Sequence, residues 1–424
     1  MFQGKENKQR RSTKGAAAAA SISKDSKARA NLHAGAIQQR GTARAAAVAV
    51  ESALPYLELP RDDEDWRFVQ SFKVHDAAAA REFFDVYGFV VYRDVLTPEE
   101  SAASRGEILS YIERTREGFS ADDESTWHNW RSQQFGMPPP DESAWWQPQL
   151  ARNRRHPRVA TSFAQLLGCE PASLRCSHDR WALYPRGIRT RRNVHLDINP
   201  CLYAHGAAAV AERRAEFGYA ASDELFGGSD NMVSAECGPH LQGTLALLTN
   251  EEQDAGFVCV PGSHAVFDQW EAALPAETAA GGPRYDFPDH SEYHKRAQRV
   301  PVREGSLICW DVRLVHGSSP DLSTRSDVAT RPRFVQFVAL RTARLLGPEQ
   351  ACRRQALVAR LHAAHGLEEP CDPLERAVAG LAERVAGTRE SAAPAAAVAA
   401  AAAAAEEVTA LEGAAAAPEV EPRG

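Results

Sequence analysis

Asn193-Val194-His195-Leu196-Asp197-Ile198-Asn199-Pro200 decides how this chain is read. As a strand ending in a turn, it sends His195 and Asp197 to one face, because strand side chains alternate with period two. An imidazole and a carboxylate on one face can grip a single cation. A second histidine follows in Gly305-Ser306-Leu307-Ile308-Cys309-Trp310-Asp311-Val312-Arg313-Leu314-Val315-His316-Gly317-Ser318. This β-rich apolar run is expected to deliver His316 to a Gly-Ser turn at the mouth of a barrel. Two histidines and one carboxylate, with open positions opposite, are the ligand set of non-haem Fe(II) oxygenases. With 14 histidines and 56 acidic residues in the chain, a lone His-x-Asp step carries little weight, and the downstream histidine supplies the rest. His264, in Pro261-Gly262-Ser263-His264, competes for that role, since either separation lets the chain return across a jelly roll.

Strand-like segments surround the motif at 180–184, 194–198, 241–248, 256–260, 306–312 and 333–340. Many short strands with long insertions predict a mainly β fold with flanking helices, a double-stranded β-helix of the jelly-roll, cupin-like kind. Ahead of them, Asp76 is placed to cap a helix with Phe83, Phe84 and Tyr87 on one face, ended by Gly88 in the left-handed position. Phe89-Val90-Val91-Tyr92 reads as a strand. Thr97-Pro98-Glu99-Glu100 carries a capping box for a helix to about Arg114 that turns Ile108, Leu109 and Ile112 inward. Trp127, Trp130, Trp145 and Trp146 mark a long ordered loop over residues 116–150. Packing in the core or a lid is the expected role of these tryptophans, and lining a substrate channel the alternative. A further helix runs from about His156 to Leu167.

The chain has 424 residues and a formal net charge of -7, so it lacks the electrostatic footprint of a nucleic-acid binder. Its eight cysteines contain no Cys-x-x-Cys pair, which suits reduced thiols in an intracellular, cytoplasmic protein. No apolar run is long enough for a membrane span. Residues 1–50 are basic, alanine-rich and poor in acids. A disordered tail is expected there, with an organelle transit peptide as the alternative. One folded domain then covers 51–345, two amphipathic helices form an extension over 346–390, and 391–424 is a low-complexity alanine-rich tail. The sequence does not specify an oligomeric state.

Several blocks resemble the phytanoyl-CoA dioxygenase family of iron and 2-oxoglutarate oxygenases. They are Gly88-Phe89-Val90-Val91 ahead of Leu96-Thr97-Pro98-Glu99-Glu100, and Asp179-Arg180-Trp181 ahead of His195-x-Asp197-x-Asn199-Pro200. Then come Leu241-Gln242-Gly243-Thr244-Leu245-Ala246-Leu247, Gly256-Phe257-Val258-Cys259-Val260-Pro261-Gly262-Ser263-His264 and His316-Gly317-Ser318. Taken together over residues 65–342, the resemblance implies Fe(II) held by His195, Asp197 and His316, and selects His316 over His264. It also implies 2-oxoglutarate and O2 as cosubstrates and hydroxylation of an aliphatic C–H on a small-molecule or lipid-like substrate. Relatives that halogenate carry a small residue where Asp197 stands, so a hydroxylation outcome is implied here.

The distal carboxylate of 2-oxoglutarate needs a cation, ideally a guanidinium fork. The family places an arginine on the strand after the distal histidine, which corresponds to Arg333, with Arg331 as the alternative and Ser318 as a hydroxyl partner. The arginines of Pro185-Arg186-Gly187-Ile188-Arg189-Thr190-Arg191-Arg192 are expected to be solvated, with contact to an anionic substrate as the alternative. Two other classes stay open at this point: a jelly-roll binding protein without turnover, and a cupin-like zinc or manganese enzyme.

Overall fold

The alternating apolar stretches pair into two five-stranded antiparallel sheets. In the computed structural model the strands are β1 (Phe89–Tyr92), β2 (Leu174–Cys176), β3 (Trp181–Tyr184), β4 (Asn193–Leu196), β5 (Leu241–Ala246) and β6 (Gly256–Cys259). They continue with β7 (Tyr285–Asp286), β8 (Gln298–Arg299), β9 (Leu307–Asp311), β10 (His316–Ser319), β11 (Arg333–Val338) and β12 (Leu340–Thr342). The helices are α1 (Ala77–Tyr87), α2 (Pro98–Thr115), α3 (Pro148–Arg154), α4 (Pro157–Leu167) and α5 (Glu292–Arg296). The structure describes residues 50, 54, 56–130, 136–138, 144, 146–176, 180–187, 192–201, 240–270, 274, 284–322 and 329–342, with a few isolated positions between 360 and 366.

The larger sheet has the order β1-β9-β5-β11-β3 and the smaller one β7-β4-β10-β6-β8. From β3 to β6 and from β8 to β11 successive strands alternate between the two sheets, as in a jelly roll, whereas β6, β7 and β8 share the smaller one, β2 pairs with β12 in a separate two-stranded sheet, and among the described residues neither five-stranded sheet closes into a barrel. Their inner faces meet: Phe257 of β6 and Trp310 of β9 have ring centroids 4.8 Å apart. One buried cluster joins Phe257, Cys259, Ile308 and Trp310 across this interior and, through Leu245 and Leu307 on the other face of the larger sheet, continues to Ile108 and Phe163 of the helices covering it. A second cluster lies on the other face of the smaller sheet, where Val194, Leu196, Val258 and Val260 pack with Leu54, Trp270 and Tyr293.

Local sequence signals account for most boundaries. Gly88 ends α1 with φ 77°, and the Thr97 box is complete, with both of its hydrogen bonds to Glu100 formed. Asp76 departs from expectation: its carboxylate accepts the Lys73 N–H and makes no side-chain cap to α1. Two further corrections concern the motifs. Strand β4 ends at Leu196, so Asp197 lies just beyond it, and His316 opens a strand inside the smaller sheet rather than sitting in a turn at a barrel mouth. Trp127, Trp130 and Trp146 are buried, Trp130 against Trp181 and Trp127 against Phe334, so they pack the core. Trp145 lies outside the described residues. So do nearly all of residues 1–50, the helical extension over 346–390 and the tail beyond 391. Cys169, Cys259 and Cys309 are free thiols, and no helix among the described residues is long and apolar enough to cross a membrane.

The segment before α1 is fastened by Asp62, which forms a two-pronged ion pair with Arg303 at 3.0 and 3.1 Å and accepts the Ser71 hydroxyl at 2.9 Å. Burial pushes its carboxyl up, but the hydrogen bonds from Arg303, Ser71 and the Glu64 N–H prevail and hold it down to about 2. A folded-state value below the unfolded one stabilises the protein above pH ~4, and that contribution is lost as pH falls from about 4 to 2. Asp62→Asn is therefore expected to lower stability at neutral pH and to flatten the acid-unfolding curve over that interval, as read by circular dichroism.

Candidate metal centre

Register brings the two histidines together. β10 lies between β4 and β6, and its pairing with β4 sets His316 opposite His195, Gly317 opposite Val194 and Ser318 opposite Asn193. This contact requires a residue without a side chain at 317, because a Cβ there would lie 1.9 Å from the Asn193 carbonyl oxygen. Gly317→Ala is expected to force the strands apart and cost about 2 kcal/mol or more, measurable as a lower denaturant midpoint.

The imidazoles of His195 and His316 have ring centroids 4.7 Å apart, and the carboxylate of Asp197 lies across both. His195 Nε2 is 3.2 Å from Asp197 Oδ1, and His316 Nε2 is 3.3 Å from Oδ2. One donor atom from each residue lies within 4.8 Å of the others, so the three can close on one ion. Both histidines are buried, and Asp197 is half-buried. Phe257 stacks on His316 at 5.8 Å and Trp310 leans on it at 5.1 Å, fixing the plane of the ring.

His316 Nδ1 lies 2.9 Å from the Leu314 carbonyl oxygen, which only accepts, so this nitrogen carries the proton. Its Nε2 is thereby left facing Asp197 Oδ2, on the side where the three donor atoms converge. Burial pushes the His195 imidazolium down toward the neutral form, with Asp197 opposing. Burial works against ionised Asp197, but the neighbouring His195 and His316 hold its carboxyl well below the usual range. Neutral imidazole beside carboxylate is the protonation state that a metal ion requires.

Arg333 begins β11, opposite Tyr184 of β3, and is buried. Its guanidinium meets the Ser318 hydroxyl at 3.3 Å and lies over the Tyr184 ring at 5.0 Å. Among the described residues no carboxylate pairs with it, and burial pushes its pKa down from the usual arginine range. Ser318 lies two residues beyond His316 on the same strand, so both project to one face. Arg331 faces elsewhere, paired with Glu251 at 3.0 Å at a half-exposed position. His264 is likewise removed from the centre: its Nε2 meets the Asp85 carbonyl and its ring packs against Gly88. Of the basic loop, Arg186 pairs with Glu124 at 3.4 Å, Arg192 reaches the Ala297 carbonyl, and Arg189 and Arg191 lie outside the described residues.

Sequence reasoning passed over Gln242 of β5, whose side-chain amide donates to Asp197 Oδ2 at 3.0 Å. Trp310 Nε1 in turn donates to Gln242 Oε1 at 3.0 Å. The signal available was a glutamine two residues from Thr244, on one face of a short strand whose other side chains are apolar.

A family model described as phytanoyl-CoA dioxygenase (PhyH) matches residues 84–327, more than half of the chain. The chain belongs to the phytanoyl-CoA dioxygenase family. The match takes in His195, Asp197 and His316 and ends before Arg333. A "Putative phytanoyl-CoA dioxygenase" of Dictyostelium discoideum is 30% identical over 270 residues, which cover 61% of this chain and 74% of that protein. Among solved structures, the epimerase SnoN in complex with Fe3+, alpha-ketoglutarate and nogalamycin RO is similar at a TM-score of 0.39 and 16% identity, covering 63% of this chain and 84% of that one. A hypothetical protein from Escherichia coli has a TM-score of 0.46 at 13% identity, over 69% of this chain and 77% of its own.

Proposed function

We propose that this member of the phytanoyl-CoA dioxygenase family is an Fe(II)- and 2-oxoglutarate-dependent dioxygenase. It hydroxylates an aliphatic C–H of a small or lipid-like substrate and releases succinate and CO2. The observation that carries the reading is the convergence of His195, Asp197 and His316 on one point, with one donor atom of each within 4.8 Å of the others.

In this reading His195, Asp197 and His316 hold Fe(II) from one side, leaving the opposite side for the cosubstrates. The ion, when bound, supplies the activation of dioxygen that couples loss of CO2 from 2-oxoglutarate to C–H hydroxylation. Every other contribution comes from the chain. Arg333 offers a buried guanidinium with no counter-ion among the described residues, and Ser318 a hydroxyl beside it, a pair suited to the distal carboxylate of 2-oxoglutarate. Asp197 enters the site ionised, so no proton has to leave it when the cation arrives. Phe257 and Trp310 shield His316 and keep its donor atom aimed.

The test is a turnover assay on purified protein supplied with Fe(II), 2-oxoglutarate and oxygen. Loss of 2-oxoglutarate matched by succinate is expected, and it should stop when the metal is chelated. A fully iron-loaded protein that leaves 2-oxoglutarate intact would overturn the reading.

A further inference from the structure

We propose that Gln242 is a positioning residue for the metal centre: with Trp310 it forms a brace that fixes Asp197 and commits one of its oxygens. The inference rests on the metal reading above and adds a residue to it.

Chemistry removes the ambiguity about which way the Gln242 amide points. An indole N–H can only donate, so the atom that Trp310 Nε1 meets at 3.0 Å must be the amide oxygen. The amide nitrogen therefore faces Asp197, where it donates to Oδ2 at 3.0 Å. Turning the amide over would set N–H against N–H at the indole and oxygen against oxygen at the carboxylate. Gln242 and Trp310 are direct cross-strand partners of β5 and β9, so the register of the larger sheet assembles the brace before any ion arrives. The carboxylate it holds follows β4 of the smaller sheet. The brace thus crosses the interior at the site and ties the two sheets together there.

Two consequences follow for a cation at His195, Asp197 and His316. The carboxylate loses rotational freedom that it would otherwise give up on binding the ion, so the site is preorganised. Electron density is also drawn toward Oδ2 by the Gln242 N–H, which leaves Oδ1, beside His195 Nε2 at 3.2 Å, as the oxygen offered most fully to the ion. Trp310 acts twice, orienting Gln242 through its N–H and His316 through its ring.

Co(II), which is stable in air, serves as the probe in titrations of the full chain followed by visible absorption. Gln242→Met keeps the side-chain length and removes both hydrogen bonds, and Gln242→Leu is the second variant should the first fold poorly. Either is expected to weaken Co(II) binding by about 10- to 100-fold while the metal-free melting temperature stays near that of the parent. Trp310→Phe keeps a ring against His316 and removes the indole donor, and a smaller loss is expected. Because both changes act through one contact, the double variant should bind no more weakly than the Gln242 variant alone. Unchanged Co(II) affinity in a folded Gln242 variant, or additive losses in the double variant, would overturn the brace and leave the metal centre standing. If the parent protein binds Co(II) no better than His195→Ala, the metal reading itself fails and the brace falls with it.

Discussion

His195→Ala and Asp197→Ala are each expected to abolish 2-oxoglutarate turnover while leaving the two-sheet fold intact. Removing either side chain takes away one of three donors that lie within 4.8 Å of one another, and no other described acid or imidazole stands close enough to replace it. The loss should exceed the roughly 10- to 100-fold that changes in outer-shell partners produce. The fold should survive because the interior around the centre is held by Phe257, Cys259, Trp310 and Ile308, none of which depends on an ionised group. In Asp197→Ala burial keeps His195 toward the neutral form, so little uncompensated charge is left behind there. Turnover and thermal melting measured side by side check both halves of the expectation. Normal activity in either variant would remove the assignment of these residues.

Arg333→Ala is expected to raise the 2-oxoglutarate requirement steeply, and Arg331→Ala to leave it nearly unchanged. Arg333 is buried with a hydroxyl and an aromatic face as its neighbours, and an anion arriving there meets a guanidinium that is already desolvated. Truncating one partner of a buried, hydrogen-bonded charge pair costs about 2–5 kcal/mol, which corresponds to a rise of roughly 30-fold or more. Arg331 is itself exposed and already engaged by the carboxylates of Glu251 and Asp254, so it offers no guanidinium to an incoming keto acid. The apparent KM for 2-oxoglutarate across the two variants is the measurement. Arg333→Lys adds resolution, since it keeps the charge and loses the two-pronged geometry. The reverse ranking would transfer the carboxylate contact to Arg331.

Much of this architecture was legible in one dimension, because the rules that shape it act over a few residues. The Thr97 box and the left-handed Gly88 depend on neighbours within one helical turn, and both stand where their residue types put them. The short apolar strands announced two packed sheets for the same reason. Asp76 shows the limit of such rules: Lys73 lies as close in sequence as the helix N–H groups, and its backbone takes the carboxylate instead. His316 shows another limit, since a histidine before Gly-Ser reads as a turn until β4 and β6 are known to flank it.

The site divides in the same way. His195 and Asp197 declare themselves through spacing, whereas the candidate Arg333 is reached only through the family resemblance. Gln242 reaches Asp197 from the opposite sheet, 45 residues away along the chain, and no local pattern encodes that contact. The placing of Arg331 was equally out of reach, because it is settled by the carboxylates of Glu251 and Asp254 on a distant loop.

The most direct test of the central claim is an anaerobic titration of the iron-loaded protein with 2-oxoglutarate, followed by visible absorption. A weak charge-transfer band that saturates with 2-oxoglutarate, and is missing in His316→Ala, is the result expected if three side chains hold one Fe(II) with room for the keto acid. A parent protein that shows no band, or a His316→Ala variant that shows the same band, would contradict it.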